Sequence, residues 1–281
     1  RELEAAEWIE AQLIAMGYSQ DAVRIQQFGW DDVTAQSDRF GSPMRWDFWV
    51  RDSEGFDEEP REFSQNVVLT VPGQSPQKII VGAHYDSLNF PGASDNASGS
   101  ALLLESAQRM LSIDNYYTIE YVFFGAEEIG LLGAYYYINS LTQEQRDNII
   151  FMANADVLFE GEYFLFGTAY MTDRGAVAAN SITNRIEAIA EQVNAVHNTE
   201  LISHVDAVHM GSDHLVFIDE GITIVTMFGM HRNEAGQYVA RVLHTDRDEF
   251  HYINETWSGK MEEAMRTYSL FLEALLTAHY E

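Results

Sequence analysis

The chain has no cysteine among its 281 residues. Disulfide bonds and thiolate metal ligands are therefore excluded, although a secreted protein can lack disulfides, so the absence does not assign a compartment. The chain begins at Arg1 without an initiator methionine. We interpret it as a mature or trimmed product and expect a secreted or periplasmic location.

Basic residues are scarce: 16 Lys and Arg stand against 44 Asp and Glu, which gives a net charge of −28. Binding to a phosphate backbone needs a basic face, so this balance argues against nucleic acid as a partner. The simplest interpretation is a solvated, self-repelling surface. The alternative is adaptation to high salt, which screens that repulsion.

Long apolar runs are also missing, since none reaches the roughly 18 residues that a membrane helix requires. We therefore predict no membrane span. An apolar content of 46% with 21% charged residues is typical of a globular chain. With no internal repeat, low-complexity tract or clear linker, we predict a single domain over residues 1–281 and expect a monomer.

The apolar spacing predicts a helix over 2–16, followed by short strands of which the first are antiparallel. These strands are predicted at Val23–Phe28, Met44–Val50 and Asn66–Val71. After Lys78, strands alternate with helices. Strands are predicted over 78–83, 118–124, 149–155 and 221–228, and helices over about 98–111, 130–140, 175–196 and 256–278. This order predicts a three-layer α/β fold with a central mixed, mostly parallel sheet and helices on both faces.

Acidic and imidazole side chains follow the predicted strands. His84 and Asp86 come after the first strand of the alternating region, and Glu127 and Glu128 come after the second. The carboxyl ends of strands in open α/β sheets gather at one edge, where such sheets hold their chemistry. We therefore predict a functional site at this edge.

These residue types fit a two-metal hydrolytic site, which needs oxygen and imidazole ligands and a free carboxylate as base. The candidate ligands are His84, Asp95, Glu128, Asp156 and His244. The negative charges of their three carboxylates nearly neutralise the positive charge of two divalent cations, and a bound hydroxide would bring the net charge to zero. Glu127, beside a ligand, is free to act as the base, and Asp86 can accept the second N–H of His84. Gly125 lets the backbone pack tightly before the two glutamates, and Gly130 and Gly133 allow the following helix to approach the sheet.

At this point the sequence resembles a known family, the M28 zinc peptidases, and the bacterial leucyl aminopeptidase group in particular. The resemblance runs from about Asn66 to Phe250 and is carried by six motifs in order. They are G-A-H-Y-D-S (82–87), S-D-N-A-S-G (94–99), G-A-E-E-I-G-L-L-G (125–133), N-A-D (154–156), G-S-D-H-L-V-F (211–217) and H-T-D-R-D (244–248).

The resemblance implies a zinc-peptidase fold, like that of the phosphorylases/hydrolases, with two zinc ions bridged by Asp95. One ion would also be held by His84 and Asp156, and the other by Glu128 and His244. Glu127 would be the general base and later the acid, and Asp86 would orient His84. The substrates would be peptides with a free and preferably apolar N-terminal residue. The resemblance also makes the Asp95–Asn96 bond a candidate for a cis peptide.

Two features depart from the pattern of some relatives. A tyrosine that some relatives place near the substrate carbonyl is replaced here by His209, whereas other relatives supply this oxyanion donor from the loop that here carries Tyr238. The disulfide that some relatives have before S-D-H is absent.

We interpret the His and Asp cluster around the S-D-H motif as a hydrogen-bonded loop that lines the substrate pocket and not as a separate metal site. It comprises His204, Asp206, His209, Asp213 and His214. Met227, Phe228 and Phe250 are expected in the core, where one or two could form the wall of an apolar pocket.

Three alternatives stay open. A glutaminyl cyclase uses one zinc on the same fold, but the His84–Asp86 pair and the five intact ligands favour the peptidase. A carboxypeptidase needs a cationic pocket, for which Arg241 and Arg247 are the candidates near His244. A non-catalytic binding module should show broken ligands, and none is broken here.

Overall fold

The computed structural model describes residues 2–29, 63–172 and 177–280. The strand predicted over Met44–Val50 lies outside these residues. Within them, no helix is both long enough and apolar enough to cross a membrane.

After Lys78 the described parts of the chain largely alternate between strands and helices, as predicted. The strands are β1 (Val23–Gly29), β2 (Phe63–Val71), β3 (Ser75–His84), β4 (Tyr117–Phe124), β5 (Ile149–Ala155), β6 (Tyr163–Met171), β7 (Val177–Ala178), β8 (Leu201–Ser203), β9 (Ile224–Arg232) and β10 (Tyr238–Val239). The α-helices are α1 (Glu2–Met16), α2 (Ala97–Met110), α3 (Leu132–Ser140), α4 (Gln143–Asp147), α5 (Ser181–His197), α6 (Asp206–His209), α7 (His214–Asp219), α8 (Phe250–Thr256) and α9 (Lys260–Thr277). The exceptions to the alternation are β5, β6 and β7, and likewise β9 and β10, which follow one another without a helix between them among the described residues.

The strands form one mixed sheet in the order β1-β2-β4-β3-β5-β9-β6-β7, with β8 beside β6 and β10 beside β9. The inner strands β4, β3, β5 and β9 run parallel to one another. β1 and β2 extend one side in antiparallel pairing, and β6 pairs antiparallel with β9 on the other. The mixed sheet with a parallel centre is therefore confirmed.

Helices cover both faces of the sheet because successive strand residues point to opposite sides. In β3, Ile79 and Val81 pack in the larger core cluster, which contains apolar residues of α1, α2, α5 and α9. Ile80, between them, packs in a second cluster with residues of α3 and α7. Full burial of such a side chain contributes about 1.5–3 kcal/mol. The three-layer prediction is confirmed.

Some elements differ from the predicted ones. The helix expected over 175–196 begins only at Ser181, because Asn180 and Thr183 form reciprocal side-chain bonds that cap it there. The helix expected over 256–278 is divided, since α8 ends at Thr256 and α9 starts after Gly259, whose φ is +77°. Strand β6 was not among the predicted elements.

Candidate metal centre

The parallel strands bring their polar ends to one edge of the sheet. His84 is the last residue of β3, Asp156 follows β5, and Glu127 and Glu128 lie just beyond β4. Asp95 lies in the loop before α2. The remaining candidate ligand, His244, lies in the loop between β10 and α8.

The carboxylate of Asp95 stands between two imidazoles. Its Oδ1 lies 3.2 Å from Nε2 of His84, and its Oδ2 lies 3.0 Å from Nε2 of His244. Asp156 Oδ1 is 3.3 Å from the same nitrogen of His84, and Glu128 Oε2 is 3.1 Å from that of His244. The five candidate ligands therefore meet in one place, with Asp95 in the middle.

The candidate metal-binding atoms separate into two groups, in each of which all atoms lie within 4.8 Å of one another. The first group joins His84, Glu127 and Asp156, and the second joins Asp95, Glu128 and His244. Glu127 thus stands with the first pair of ligands, although its neighbour Glu128 belongs to the second group.

Asp86 contacts both His84 and the loop of the two glutamates. Its backbone oxygen lies 3.1 Å from His84 Nδ1, and its carboxylate lies 3.6 Å from that nitrogen. The carboxylate accepts hydrogen bonds from the backbone N–H groups of Glu127 at 3.1 Å and Glu128 at 3.3 Å. Asp86 therefore contacts the His84 ring through its carbonyl as well as its side chain, and ties β3 to the loop after β4.

The pKa shifts indicate how strongly the negative charges crowd together. Burial raises the pKa of Glu127 well above its usual range, and Asp213, Asp156 and Glu128 raise it further, although His84 opposes the shift. Burial alone would lower the pKa of His84, but the charges of Glu127 and Asp156 outweigh it and raise that pKa. Both pKa values are raised in part by negative charges that lie close together in a buried region. Binding of a cation among these carboxylates would relieve their repulsion.

In the group of Asp95, Glu128 and His244, the carboxylates likewise favour a positively charged neighbour. Hydrogen bonds to Asp95 and Glu128 raise the pKa of His244 to about 10. Nitrogen and oxygen donors without sulfur are a ligand set that zinc accepts. The residues present therefore fit a pair of divalent metal ions.

Asp213, which the sequence placed only in a pocket loop, is a buried acid near the candidate metal ligands. Its side chain is fully buried, and neither carboxylate oxygen has a hydrogen-bond partner among the described residues. Burial raises its pKa well above the usual range, opposed by His84 and reinforced by Asp156. A buried acid without partners beside His84 and Asp156 is a further sign of a cation-binding region.

The loops that carry the ligands also hold one another. Asp248 accepts hydrogen bonds from the backbone N–H groups of Ser94 at 2.6 Å and Asp95 at 3.0 Å. Ser94 Oγ in turn accepts a bond from the N–H of Phe159, in the loop that follows Asp156. The His244 loop thus anchors the Asp95 loop, which anchors the Asp156 loop.

Glu160 closes this cycle, because it lies in the Asp156 loop and binds the His244 loop. Its Oε2 accepts hydrogen bonds from the N–H groups of Arg241 at 2.5 Å and Val242 at 2.9 Å. The sequence pattern indicated no role for Glu160, and Asp248 was known only as the last residue of the H-T-D-R-D motif. Their partners are backbone groups, which leave no pattern in a sequence.

Unusual backbone geometry accompanies the site. Ala126, Val157 and His244 have φ values of 55°, 51° and 55°. A β-branched residue such as valine rarely adopts this region, and such strain is concentrated at functional sites. The Asp95–Asn96 peptide is cis, as the resemblance implied.

A model of peptidase family M28 matches residues 66–269, most of the chain. The chain belongs to peptidase family M28. Its match to aminopeptidase YwaD of Bacillus subtilis is 44% identical over 86 residues and covers 29% of this chain and 19% of that protein. A match to a leucine aminopeptidase 1 of Pyrenophora tritici-repentis is 36% identical over 103 residues, which is 31% of this chain and 26% of that one. The matches therefore span only a fraction of these relatives.

Solved M28-like structures agree with the fold. A zinc aminopeptidase from Bacillus subtilis superposes with a TM-score of 0.61 at 25% identity, over 76% of this chain and 50% of that one. A Bacteroides thetaiotaomicron glutaminyl cyclase superposes with a TM-score of 0.65 over 99% of this chain and 89% of that one. Its 17% identity shows a shared fold only.

The two candidate oxyanion donors of this M28 chain lie in different surroundings. Tyr238 packs against His204 and Tyr163, with ring centroids 4.9 Å and 5.5 Å away. His209 is exposed at the end of α6. The role of either residue stays a prediction.

The loop before the S-D-H motif is held without a disulfide. His214 is fully buried, and its Nε2 donates to the carbonyl of Val208 at 3.2 Å. The hydroxyl of Thr226 donates to the carbonyl of Ala207 at 3.1 Å. These two hydrogen bonds hold the loop, although the side chain of Asp213 makes none, and among the described residues its members form no additional group of possible metal ligands.

An apolar cluster lies beside the metal centre. Val157, which follows Asp156, and Leu243, which precedes His244, both belong to it together with Phe228. Met227 lies in the main core, as expected. Phe250 was also expected in the core, which is wrong, because it begins α8 at the surface and is 59% exposed.

Proposed function

We propose that this protein is a di-zinc aminopeptidase, which hydrolyses the first peptide bond of peptides with a free N-terminus. The position of Asp95 is the observation that carries the proposal. Each of its two carboxylate oxygens lies within 3.2 Å of a different imidazole, so one carboxylate can serve two metal ions at once.

The ligands divide naturally between the two ions. His84 and Asp156 would hold one ion together with Asp95 Oδ1, and Glu128 and His244 would hold the other with Asp95 Oδ2. When bound, the pair would lower the pKa of a water molecule and polarise the scissile carbonyl. Asp86 keeps the His84 ring in the orientation that presents Nε2 to the site.

Glu127 is suited to move the proton of the attacking water. Its carboxylate belongs to the group of His84 and Asp156 but is not needed to complete the ligand set. Burial raises its pKa, which makes it a better proton acceptor than an exposed glutamate. It would take the proton from water and deliver it to the leaving amine.

Cleavage at the chain end follows from the excess of acids. Four carboxylates surround the two imidazoles, and a fifth, Asp213, is buried next to them. The acids beyond the three ligand carboxylates, Glu127 and Asp213, would favour a free α-amino group, which is a cation, over a blocked N-terminus, which carries no charge. The side of His244 is the open one, because its side chain is 43% exposed.

The apolar cluster supports a preference for an apolar first residue. Val157 and Leu243 bring it next to two ligands. Leu243, Met210 and Tyr238 are only partly buried and so leave apolar surface for a substrate side chain.

The test is hydrolysis of a panel of aminoacyl-p-nitroanilides, with N-acetylated versions as the blocked control. The assay is repeated after chelation and after return of zinc. We expect cleavage of free-amine substrates only, fastest with leucine-like residues, lost on chelation and restored by zinc.

Other results would reject the proposal. Cleavage of the blocked substrates, or activity that survives complete removal of metal, contradicts the mechanism. If none of the anilides is hydrolysed and N-terminal glutaminyl peptides are cyclised, the protein catalyses the cyclase reaction instead.

A further inference from the structure

Glu160 is a buried carboxylate that the proposed chemistry does not use. It lies four residues after Asp156 and is 0% exposed. Its oxygens accept hydrogen bonds from two consecutive backbone N–H groups, those of Arg241 and Val242. Burial raises the pKa of this carboxyl, and these two N–H groups and the next one, that of Leu243, oppose that shift. A carboxylate that accepts several backbone bonds fixes that backbone firmly, because each charged hydrogen bond is about twice as strong as a neutral one.

Residues 241–243 lead directly into His244. This ligand lies in a loop outside any helix or strand and has a φ of 55°. Its side chain is 43% exposed, whereas those of Asp95 and Glu128 are 6% exposed. A half-exposed side chain on a loop has little packing around it, so its position depends on how the backbone is held.

We propose that Glu160 is a positioning residue for His244. By fixing residues 241–243 it holds His244 Nε2 at 3.0 Å from Asp95 and 3.1 Å from Glu128. The inference rests on the proposed di-zinc function for the identity of the metal. The placement of His244 itself is measurable in metal-free protein.

The competing explanation is apolar anchoring of the same loop. Val242 is 1% exposed and packs with Ile253 and Trp257. If this packing alone placed the loop, the charge at position 160 would not matter. Glu160→Gln separates the two explanations, since it keeps the volume and leaves Val242 untouched but presents an amide N–H₂ to backbone donors.

The matched control is Glu162→Gln, two residues along the chain. Glu162 is partly exposed, and its carboxylate pairs with the side chain of His231 at 3.1 Å. Both variants lose one negative charge, so a difference between them reports the contacts of Glu160 and not net charge.

Two measurements test the proposal. In metal-free protein, amide hydrogen exchange at Arg241, Val242 and Leu243 should accelerate about tenfold or more in Glu160→Gln and stay unchanged in Glu162→Gln. In a stepwise zinc titration, one of the two affinities should fall about 10- to 100-fold in Glu160→Gln while the other stays at the wild-type value. A general loss of stability would weaken both affinities alike.

Wild-type exchange rates in Glu160→Gln, or an equal loss of both zinc affinities, would overturn the proposal. If Glu160→Gln does not fold, Glu160→Asp keeps the charge and shortens its reach, so smaller changes in the same direction are expected and wild-type values again overturn it. A wild-type chain that binds fewer than two zinc ions would refute the proposed function, whereas the exchange rates would still decide the role of Glu160.

Discussion

Glu127 and Glu128 are adjacent in the chain but belong to different groups of the site. Glu127→Gln should lower kcat about 100- to 10,000-fold, because the amide cannot take a proton from water. Zinc affinity should stay near the wild-type value, since Glu127 is not one of the proposed ligands. Kinetics with zinc content after dialysis measure both, and Glu128→Gln, which should lose zinc, is the control. Loss of zinc from Glu127→Gln to the same extent would make Glu127 a ligand and not the base.

The oxyanion donor can be identified by a second pair of substitutions. Tyr238 packs in the apolar cluster with Leu243, whereas His209 is exposed. Tyr238→Phe should therefore lower kcat about 100-fold with little change in KM, and His209→Gln should leave kcat unchanged. Steady-state kinetics on a leucyl anilide measure kcat and KM of both variants. A loss of kcat in His209→Gln with an unchanged kcat in Tyr238→Phe would identify His209 as the oxyanion donor.

His214 makes stability depend on pH. Burial lowers its pKa from 6.5 to about 4, so the folded state binds this proton less readily than the unfolded state. The contribution is present above pH 6.5 and is lost as the pH falls from 6.5 to about 4, by about 3 kcal/mol in all. His214→Gln keeps an N–H donor for Val208 but does not titrate. Chemical unfolding in chelator across this range should therefore show a steeper loss for the wild type, and parallel curves would contradict it.

The residues that the sequence revealed are those with a recurring position. His84, Glu127, Glu128 and Asp156 follow strand ends, Asp95 and His244 stand in motifs of the resemblance, and the structure brings all six together. Asp213 and Asp248 stand in two of the six motifs but follow no predicted strand, and Glu160 stands in none of them. What makes them important is burial and contact with distant backbone, and a single acid in a loop shows neither.

At the scale of elements, the turn after β4 depends on the absence of a side chain at Gly125. A Cβ there would lie 2.4 Å from the carbonyl of Gln65 and 2.5 Å from Ser64 Oγ, both in β2. Gly125→Ala should lower the free energy of unfolding by about 1–3 kcal/mol and weaken zinc binding, because β2 and the glutamate loop are forced apart.

Gly211→Ala is the control for this substitution, since an added Cβ meets no atom within 4 Å there. Chemical unfolding and zinc titration of both variants provide the measurement. Equal stability of the two alanine variants would show that the turn after β4 can relax.

The parallel centre of the sheet was predicted more completely than the side that carries β6. The alternation after Lys78 made the parallel centre clear, and β5 was predicted at its observed bounds. Lys78 itself illustrates the limit, since it begins an apolar run but is buried in an ion pair with Glu120 at 3.0 Å. Its partner lies on the neighbouring strand, 42 residues away, and local patterning does not reach that far.

The whole molecule carries a net charge of −28, which repels itself in the folded state. Raising NaCl from about 0.05 M to about 1 M should therefore raise Tm by a few degrees, because salt screens this repulsion. Thermal unfolding over a series of salt concentrations measures the effect, with sucrose as an uncharged control. A Tm that falls as salt is added would contradict the expected screening. Unfolding of the protein at the lowest salt concentration would go further and support adaptation to high salt.

The two imidazoles beside Asp95 differ in their access to solvent, with side-chain exposures of 1% for His84 and 43% for His244. An ion at His244 could leave and return directly through solvent, while one at His84 would be enclosed. If two ions bind as proposed, the ion at His244 would therefore exchange faster, and molecules caught early in zinc loss would still hold the ion next to Glu127. In such a population the supply of zinc, and not the amount of protein, would set how many molecules can work.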